Sequence, residues 1–315
     1  MPSVHVISPG FLTTIQDLGR YGFAHLGVSA SGVADALSLR IGNLLVGNPQ
    51  DAAGLEMTLT GGVFEFESPA VIALTGSDFQ PTLDSQTIPL WTSIRVISGQ
   101  VLRCGATKSG ARCYLSLHGG INVPLVLGST STHLLTGMGG FNGRALQEGD
   151  VLTINTSSTF DSFRLLQVNP KFMSQLMRRN ILRVTRGPQI NFFPDEALIL
   201  FCTSYYIVTE ESNRMGLRLN GSALRKTQTS ELLTEGVSLG AVQVPDDGKP
   251  IILFVEHQTT GGYPKIANVI SADFHTLGQL RPRDEVLFEM VSIEQATSLL
   301  RDQEALINPT SLMPV

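Results

Sequence analysis

Arg214 and Arg218 stand four residues apart in the stretch Ser212-Asn213-Arg214-Met215-Gly216-Leu217-Arg218-Leu219. On a helical turn that spacing places both guanidinium groups on one face. Two adjacent cations repel, so an anion held between them, a carboxylate or a phosphate, is the chemistry that rationalises the pair. Solvated ion pairs with Glu210, Glu211 or Asp246 are the competing explanation. A second cluster follows the apolar run Ile251-Ile252-Leu253-Phe254-Val255: Glu256, His257, then Gln258-Thr259-Thr260-Gly261-Gly262-Tyr263-Pro264-Lys265-Ile266. Thr259, Thr260 and the N–H groups near Gly261 and Gly262 offer donors, and the glycines admit close approach of a ligand to the backbone. Glu256 ends an apolar run, so it is expected to be half-buried with a raised pKa, suited to a general base. His257 reads as a solvent-facing side chain. An ordinary Gly-Gly turn is the alternative reading of the loop.

Two further groupings are weaker. Asp17 and Arg20, in Gln16-Asp17-x-x-Arg20, are expected to pair and fix a loop, with Asp35 beyond them. Ser129, within Gly128-Ser129-Thr130-Ser131-Thr132, and Arg144, after Gly143, could form a nest for an anion or simply ST-turns. Common motifs are missing: no phosphate-binding P-loop spacing, no complete dinucleotide fingerprint, no G-x-S-x-G elbow. The six histidines form no metal-ligand spacing, so no metal site is expected.

These residues need elements to position them. The chain has 315 residues, 31 of them glycine and 16 proline, and its length suggests two domains, placed at 1–160 and 161–315. Short β-prone runs recur near residues 4–7, 55–59, 63–66, 71–74, 94–97, 113–117 and 151–154, then near 182–185, 197–202, 205–209, 237–244, 251–255 and 285–288, with Gly, Pro, Asp or Ser between them. That rhythm predicts a mostly β protein built as barrels or sandwiches. Helical spacing appears over 33–45, over 170–180, and after the capping box Ser292-x-x-Gln295, where Asn308-Pro309 ends the last helix. Charged residues make up 16% and net charge is −5, which argues against non-specific nucleic-acid binding. Three cysteines without a C-x-x-C fit reduced thiols in the cytoplasm. No signal peptide is expected at the N-terminus, and no apolar run approaches the ~18 residues of a membrane span.

Thr13-Thr14-Ile15-Gln16-Asp17-x-Gly19-Arg20, Ser31-Gly32-x-x-Asp35, Asn43-Leu44-Leu45-Val46-Gly47-Asn48, Leu55-Glu56, Leu74-Thr75-Gly76, Gly119-Gly120-Ile121, Gly128-Ser129-x-Ser131-Thr132, Ser212 to Leu219 and Gln258 to Ile266 occur in this order. In that series the chain resembles the biotin-dependent carboxyltransferase family, from about Val4 to Phe288. The family includes the C-subunit of 5-oxoprolinase, the KipA antagonist of a kinase inhibitor, and the carboxyltransferase half of urea carboxylase. The resemblance implies two tandem cyclophilin-like β-barrel domains with a few short helices. It implies partner subunits A and B, the latter a KipI-like protein, that together cleave 5-oxo-L-proline to L-glutamate with ATP and Mg2+. It also implies two alternatives: carboxyl transfer from carboxybiotin to urea or a related amide, and a non-enzymatic antagonist of a kinase-inhibitor protein. The chain carries no Met-Lys-Met-type biotin attachment site of its own. Under the lactamase expectation Arg214 and Glu256 are the catalytic residues. Asn213, Arg218, Gln258, Thr259, Thr260, Gly261, Gly262 and Tyr263 bind substrate, and Asp17, Arg20, Asp35, Ser129 and Arg144 form a secondary set. Relatives often carry Asp where Glu256 stands, and Pro-Gly where this chain has Pro282-Arg283.

Overall fold

The computed structural model describes residues 2–155, 163–172, 180–227 and 232–315. The boundary expected near residue 160 lies outside them, as does most of the helix expected over 170–180. By its internal contacts the chain forms two compact units. One comprises Met1–Arg20, Asp35–Met177 and Ala305–Val315; the other comprises Tyr21–Ala34 and Arg178–Glu304. The expected mostly β class is what both display.

The first unit holds two antiparallel sheets. The six-stranded sheet runs in the order Val151–Thr153, Ser3–Ser8, Val63–Phe66, Val101–Arg103, Thr82–Leu83, Gln86–Thr87. The five-stranded sheet runs Leu12–Gln16, Gly54–Thr58, Arg112–Leu117, Ala70–Gly76, Ser93–Val96. Alternation turns Val4, Val6, Phe64 and Phe66 of one sheet and Leu55, Met57, Leu115 and Leu117 of the other into a common core. The strands of this unit are ordered in these two sheets. Helix α1, Ala36–Leu45, packs Leu37, Ile41 and Leu45 against Val71 and Ala73. Asp35 is its N-cap: the carboxylate accepts from the Ser38 N–H at 3.0 Å and the Ser38 hydroxyl at 2.6 Å. The strand Leu312–Pro314 pairs with Leu166–Val168 in this unit.

The second unit is a closed seven-stranded barrel. Its order is Ile181–Arg186, Lys265–Val269, Ala241–Gln243, Ile251–Leu253, Gly216–Asn220, Tyr206–Val208, Glu285–Met290, and a parallel pairing of the last strand with the first closes it. Residues 197–202, expected as a strand, lie instead in helix α2, Asp195–Thr203. Pro194 precedes it and Asp195 and Glu196 occupy its first turn, where the helix dipole favours carboxylates. Its buried positions, Ala197 and Phe201, are four apart. Phe201 stacks on Phe288 with centroids 4.3 Å apart, so packing on the barrel decides a run whose β-prone composition is ambiguous. Helices α3, Phe274–Gly278, and α4, Ile293–Leu306, follow. The expected capping box opens α4: Gln295 accepts from the Ser292 N–H at 2.9 Å, and Ser292 Oγ accepts from the Gln295 N–H at 3.2 Å. No helix among the described residues is long and apolar enough to cross a membrane.

Arg283 adopts φ 74°, the left-handed region that costs an L-residue about 1–2 kcal/mol. Its backbone N–H donates to Val208 at 2.8 Å, which holds the turn in place. The side chain reaches only Glu210 in an exposed pair, worth little. Arg283→Gly is therefore expected to stabilise the chain by about 1 kcal/mol, read as a higher urea midpoint. An unchanged or lower midpoint would show that the turn carries no strain.

Candidate functional site

Strands Gly216–Asn220 and Ile251–Leu253 pair with Gly216 opposite Leu253, Leu217 opposite Ile252 and Arg218 opposite Ile251. Directly opposed residues share a face and alternate along the strand. Leu217 and Ile252 join the barrel core. Gly216, Arg218, Ile251 and Leu253 line a cavity of about 160 Å³, completed by Asn213, Met215, Gln243, Gln258 and Tyr263. A larger cavity of about 400 Å³ shares Arg218, Ile251 and Tyr263 with it and adds Thr209, Glu211, Asp247 and Lys249 among its walls. The structure thus brings Asn213, Arg218, Gln258 and Tyr263 of the expected binding set to one place.

Arg214 and Arg218 do not share a face. There is no helical turn here: Arg218 lies in a strand, and Arg214 in the bend that precedes it. Arg218 is about half exposed, with Glu211 4.0 Å away across solvent. Arg214 is buried, and its Nε donates to Glu256 Oε1 at 2.5 Å. A second guanidinium nitrogen, Nη2, donates to the Gly32 carbonyl at 2.6 Å, and the Arg214 carbonyl accepts from the Glu256 N–H at 2.8 Å. Glu256 is 5% exposed, so it is buried rather than half-buried. Neither Arg214 nor Glu256 is among the residues lining the two cavities. The carboxylate is taken up by the Arg214 guanidinium and lines neither cavity, so the arrangement is that of a structural ion pair.

The Gly-Gly segment is half of a small ribbon. Thr260–Gly261 pairs with Glu235–Gly236, and the Thr259 carbonyl accepts from the Val237 N–H. Buried Lys265 fastens the ribbon by an ion pair to Glu235, which also accepts from Gln189 at 2.6 Å. Those two donors, the Lys265 ammonium foremost, hold the Glu235 carboxyl below its usual range. Thr259, Thr260, Gly261 and Gly262 lie in or beside this ribbon and do not line the two cavities. Tyr263, just past it, stands at the border of both. His257 is partly buried, not solvent-facing; its Nδ1 lies 2.6 Å from the Gln258 carbonyl. Burial lowers its pKa, with that hydrogen bond opposing the shift.

The secondary residues lie in the first unit. The Ser/Thr nest is filled by Asp17 itself. Oδ1 accepts from the Ser129 hydroxyl at 2.6 Å, the Gly19 N–H at 2.8 Å and the Ser131 hydroxyl. Oδ2 accepts from the Thr130 N–H at 2.6 Å and the Thr130 hydroxyl at 2.9 Å. Burial pushes the carboxyl up, but these donors together hold it below its ordinary value. Arg20 is buried and donates to the Ser131 carbonyl. Arg144 makes a two-pronged pair with Asp150, both contacts at 2.8 Å. Ser129, Asp17, Arg20 and Arg144 thus tie loops of the first unit together.

The sequence did not point to Gln243, Thr209 or Lys249. Gln243 carried a signal, a lone amide inside the apolar run Ala241-Val242-Gln243-Val244. It is 1% exposed, and a buried polar residue in a barrel strand is informative where an exposed one is not.

Comparison with known proteins adds identity to this geometry. The chain is 41% identical over 301 residues to the 5-oxoprolinase C-subunit of Escherichia coli (strain K12), covering 95% of this chain and 94% of that one. It is 35% identical to the 5-oxoprolinase C-subunit of Haemophilus influenzae, covering 92% of each. In structure it is similar to the urea amidolyase of K. lactis, with a TM-score of 0.89 and 32% identity over 99% of this chain. This chain spans only 20% of that larger protein. The family described as carboxyltransferase domain, subdomain A and B, matches residues 26–290. With that match covering most of its length, the chain belongs to the carboxyltransferase subdomain A and B family.

Proposed function

We propose that this chain is the subunit of an ATP-dependent 5-oxoprolinase that holds the lactam, acting with partner subunits A and B. The observation that carries the proposal is the lining of the smaller cavity. Three side-chain amides, Asn213, Gln243 and Gln258, and the guanidinium of Arg218 meet apolar walls from Met215, Ile251 and Leu253. A 5-oxoproline molecule presents a ring amide, a carboxylate and a short apolar edge. Amides complement the lactam, and a guanidinium complements the carboxylate. A lactam carbon is a poor electrophile, so phosphorylation of its carbonyl oxygen by ATP, with Mg2+, would activate it toward water. The two relatives that bear the name of the 5-oxoprolinase C-subunit, matched nearly end to end, support the same reading.

Arg218→Ala tests it in the reconstituted complex. Loss of a charge-assisted contact to the carboxylate should raise KM for 5-oxoproline at least about tenfold, with the urea midpoint of the subunit unchanged because the side chain is half exposed. An unchanged KM would remove Arg218 from the binding site. A second reading, carboxyl transfer to urea, is favoured by the similarity to urea amidolyase across 99% of this chain. It predicts urea-dependent turnover with a biotinylated partner and no glutamate release.

A further inference from the structure

Gln243 is buried in the barrel strand Ala241–Gln243 and faces the smaller cavity. Its Oε1 accepts from Gln258 Nε2 at 3.3 Å, a long contact. Its own Nε2 has no hydrogen-bond partner, and water does not reach that atom. A buried donor without a partner is rare in folded proteins and costly to keep. The backbone above it is Gly261, where an added Cβ would stand 2.7 Å from Gln243 Nε2 and 3.4 Å from Gln258 Nε2. Gly261 therefore packs directly against the Gln243 amide, and a side chain at 261 would press on it. Gln258 is exposed and held to Gln243 only by the long contact, so its side chain can turn aside at small cost.

We propose that Gln243 reads the carbonyl oxygen of the bound amide. As substrate enters, Gln258 turns from Gln243 toward the ligand, and Gln243 Nε2 donates to the carbonyl oxygen. The orphaned N–H gains its partner only when an acceptor arrives, so the site rewards a ring that carries a carbonyl over one that does not. This is the logic by which a buried hydrogen-bonding group rejects an analogue lacking the matching atom. Gln243 is then a specificity residue for the lactam, and the inference rests on the lactam-binding reading above.

The test uses the full chain assembled with its partner subunits and measures equilibrium binding of radiolabelled 5-oxo-L-proline and L-proline without ATP. L-proline keeps the carboxylate and lacks the carbonyl. Wild-type complex should prefer 5-oxo-L-proline. Gln243→Glu, which replaces the donor with an acceptor of similar shape, should weaken 5-oxo-L-proline at least tenfold and abolish the preference for it over L-proline. Gly261→Ala keeps the Gln243 residue but puts a methyl 2.7 Å from its Nε2, displacing the amide, so it should lose the same preference, and it stands in if the first variant fails to assemble. Wild-type preference retained in both variants would overturn the role of Gln243 while the lactam-binding reading stands. No binding of 5-oxo-L-proline by the wild-type complex would overturn both.

Discussion

Arg214→Ala is expected to destabilise the barrel unit by about 3–5 kcal/mol. The variant leaves Glu256 buried with its carboxylate stripped of the guanidinium that lies 2.5 Å away. It also removes the donor that holds the Gly32 carbonyl, and with it one tie on the Tyr21–Ala34 segment of the same unit. Such a loss is a large share of the about 5–15 kcal/mol that typically separates folded from unfolded protein. Activity in the assembled complex would fall with it, so a kinetic assay alone would misread Arg214 as a catalytic group. Urea denaturation separates the two: Arg214→Ala should shift the midpoint strongly, whereas Arg218→Ala, at an exposed site, should leave it nearly unchanged. A double variant, Arg214→Met with Glu256→Leu, removes both charges together and should be less destabilised than the sum of the single changes. A wild-type midpoint for Arg214→Ala would sink the structural account of the pair.

Asp17→Ala is expected to cost at least about 3 kcal/mol. Ser129 and Ser131 are fully buried, and both hydroxyls donate to the carboxylate that the substitution deletes. Each hydroxyl left without an acceptor carries its own desolvation cost. The wild-type protein should also show the charge in its acid response. The carboxyl sits below its ordinary value in the folded chain, and the unfolded value is about 3.9. The stability contributed by the charge is therefore complete above that unfolded value and disappears as pH falls through the folded one. Asp17→Asn keeps the shape without the charge, so the stability difference between wild type and variant should be large at neutral pH and shrink below about pH 4. A difference that stays constant across that range would show that the hydroxyls are satisfied in some other way.

What could be read from the sequence was local. The capping box at Ser292 and Gln295 spans one turn, and both of its hydrogen bonds form. Apolar alternation and turn residues located most strands, and the segments 212–219 and 258–266 contributed Asn213, Arg218, Gln258 and Tyr263 to one cavity. What could not be read was which charged group meets which. Arg214 and Glu256 are 42 residues apart and Asp17 and Ser129 are 112 apart, and only the folded barrel or sheet brings them within reach. Four-residue spacing suggested a shared helical face for Arg214 and Arg218, but Arg218 lies in the strand Gly216–Asn220 and Arg214 in the bend before it, so no single periodicity relates the two side chains. The β-prone run at 197–202 became a helix for the related reason that burial of Phe201 against Phe288 outweighs local preference.

The chain passes between the two units more than once. Tyr21–Ala34 belongs with the barrel, although the residues on both sides of it belong to the other unit, and Ala305–Val315 returns to that unit after the barrel is complete. During synthesis the ribosome releases Leu166–Val168 long before its strand partner, Leu312–Pro314. The first unit therefore waits, partly paired, until the whole barrel has emerged. Pairing between such distant segments slows folding, and an open strand edge on a nascent chain invites wrong partners. A single proteolytic cut cannot release either unit as one continuous piece.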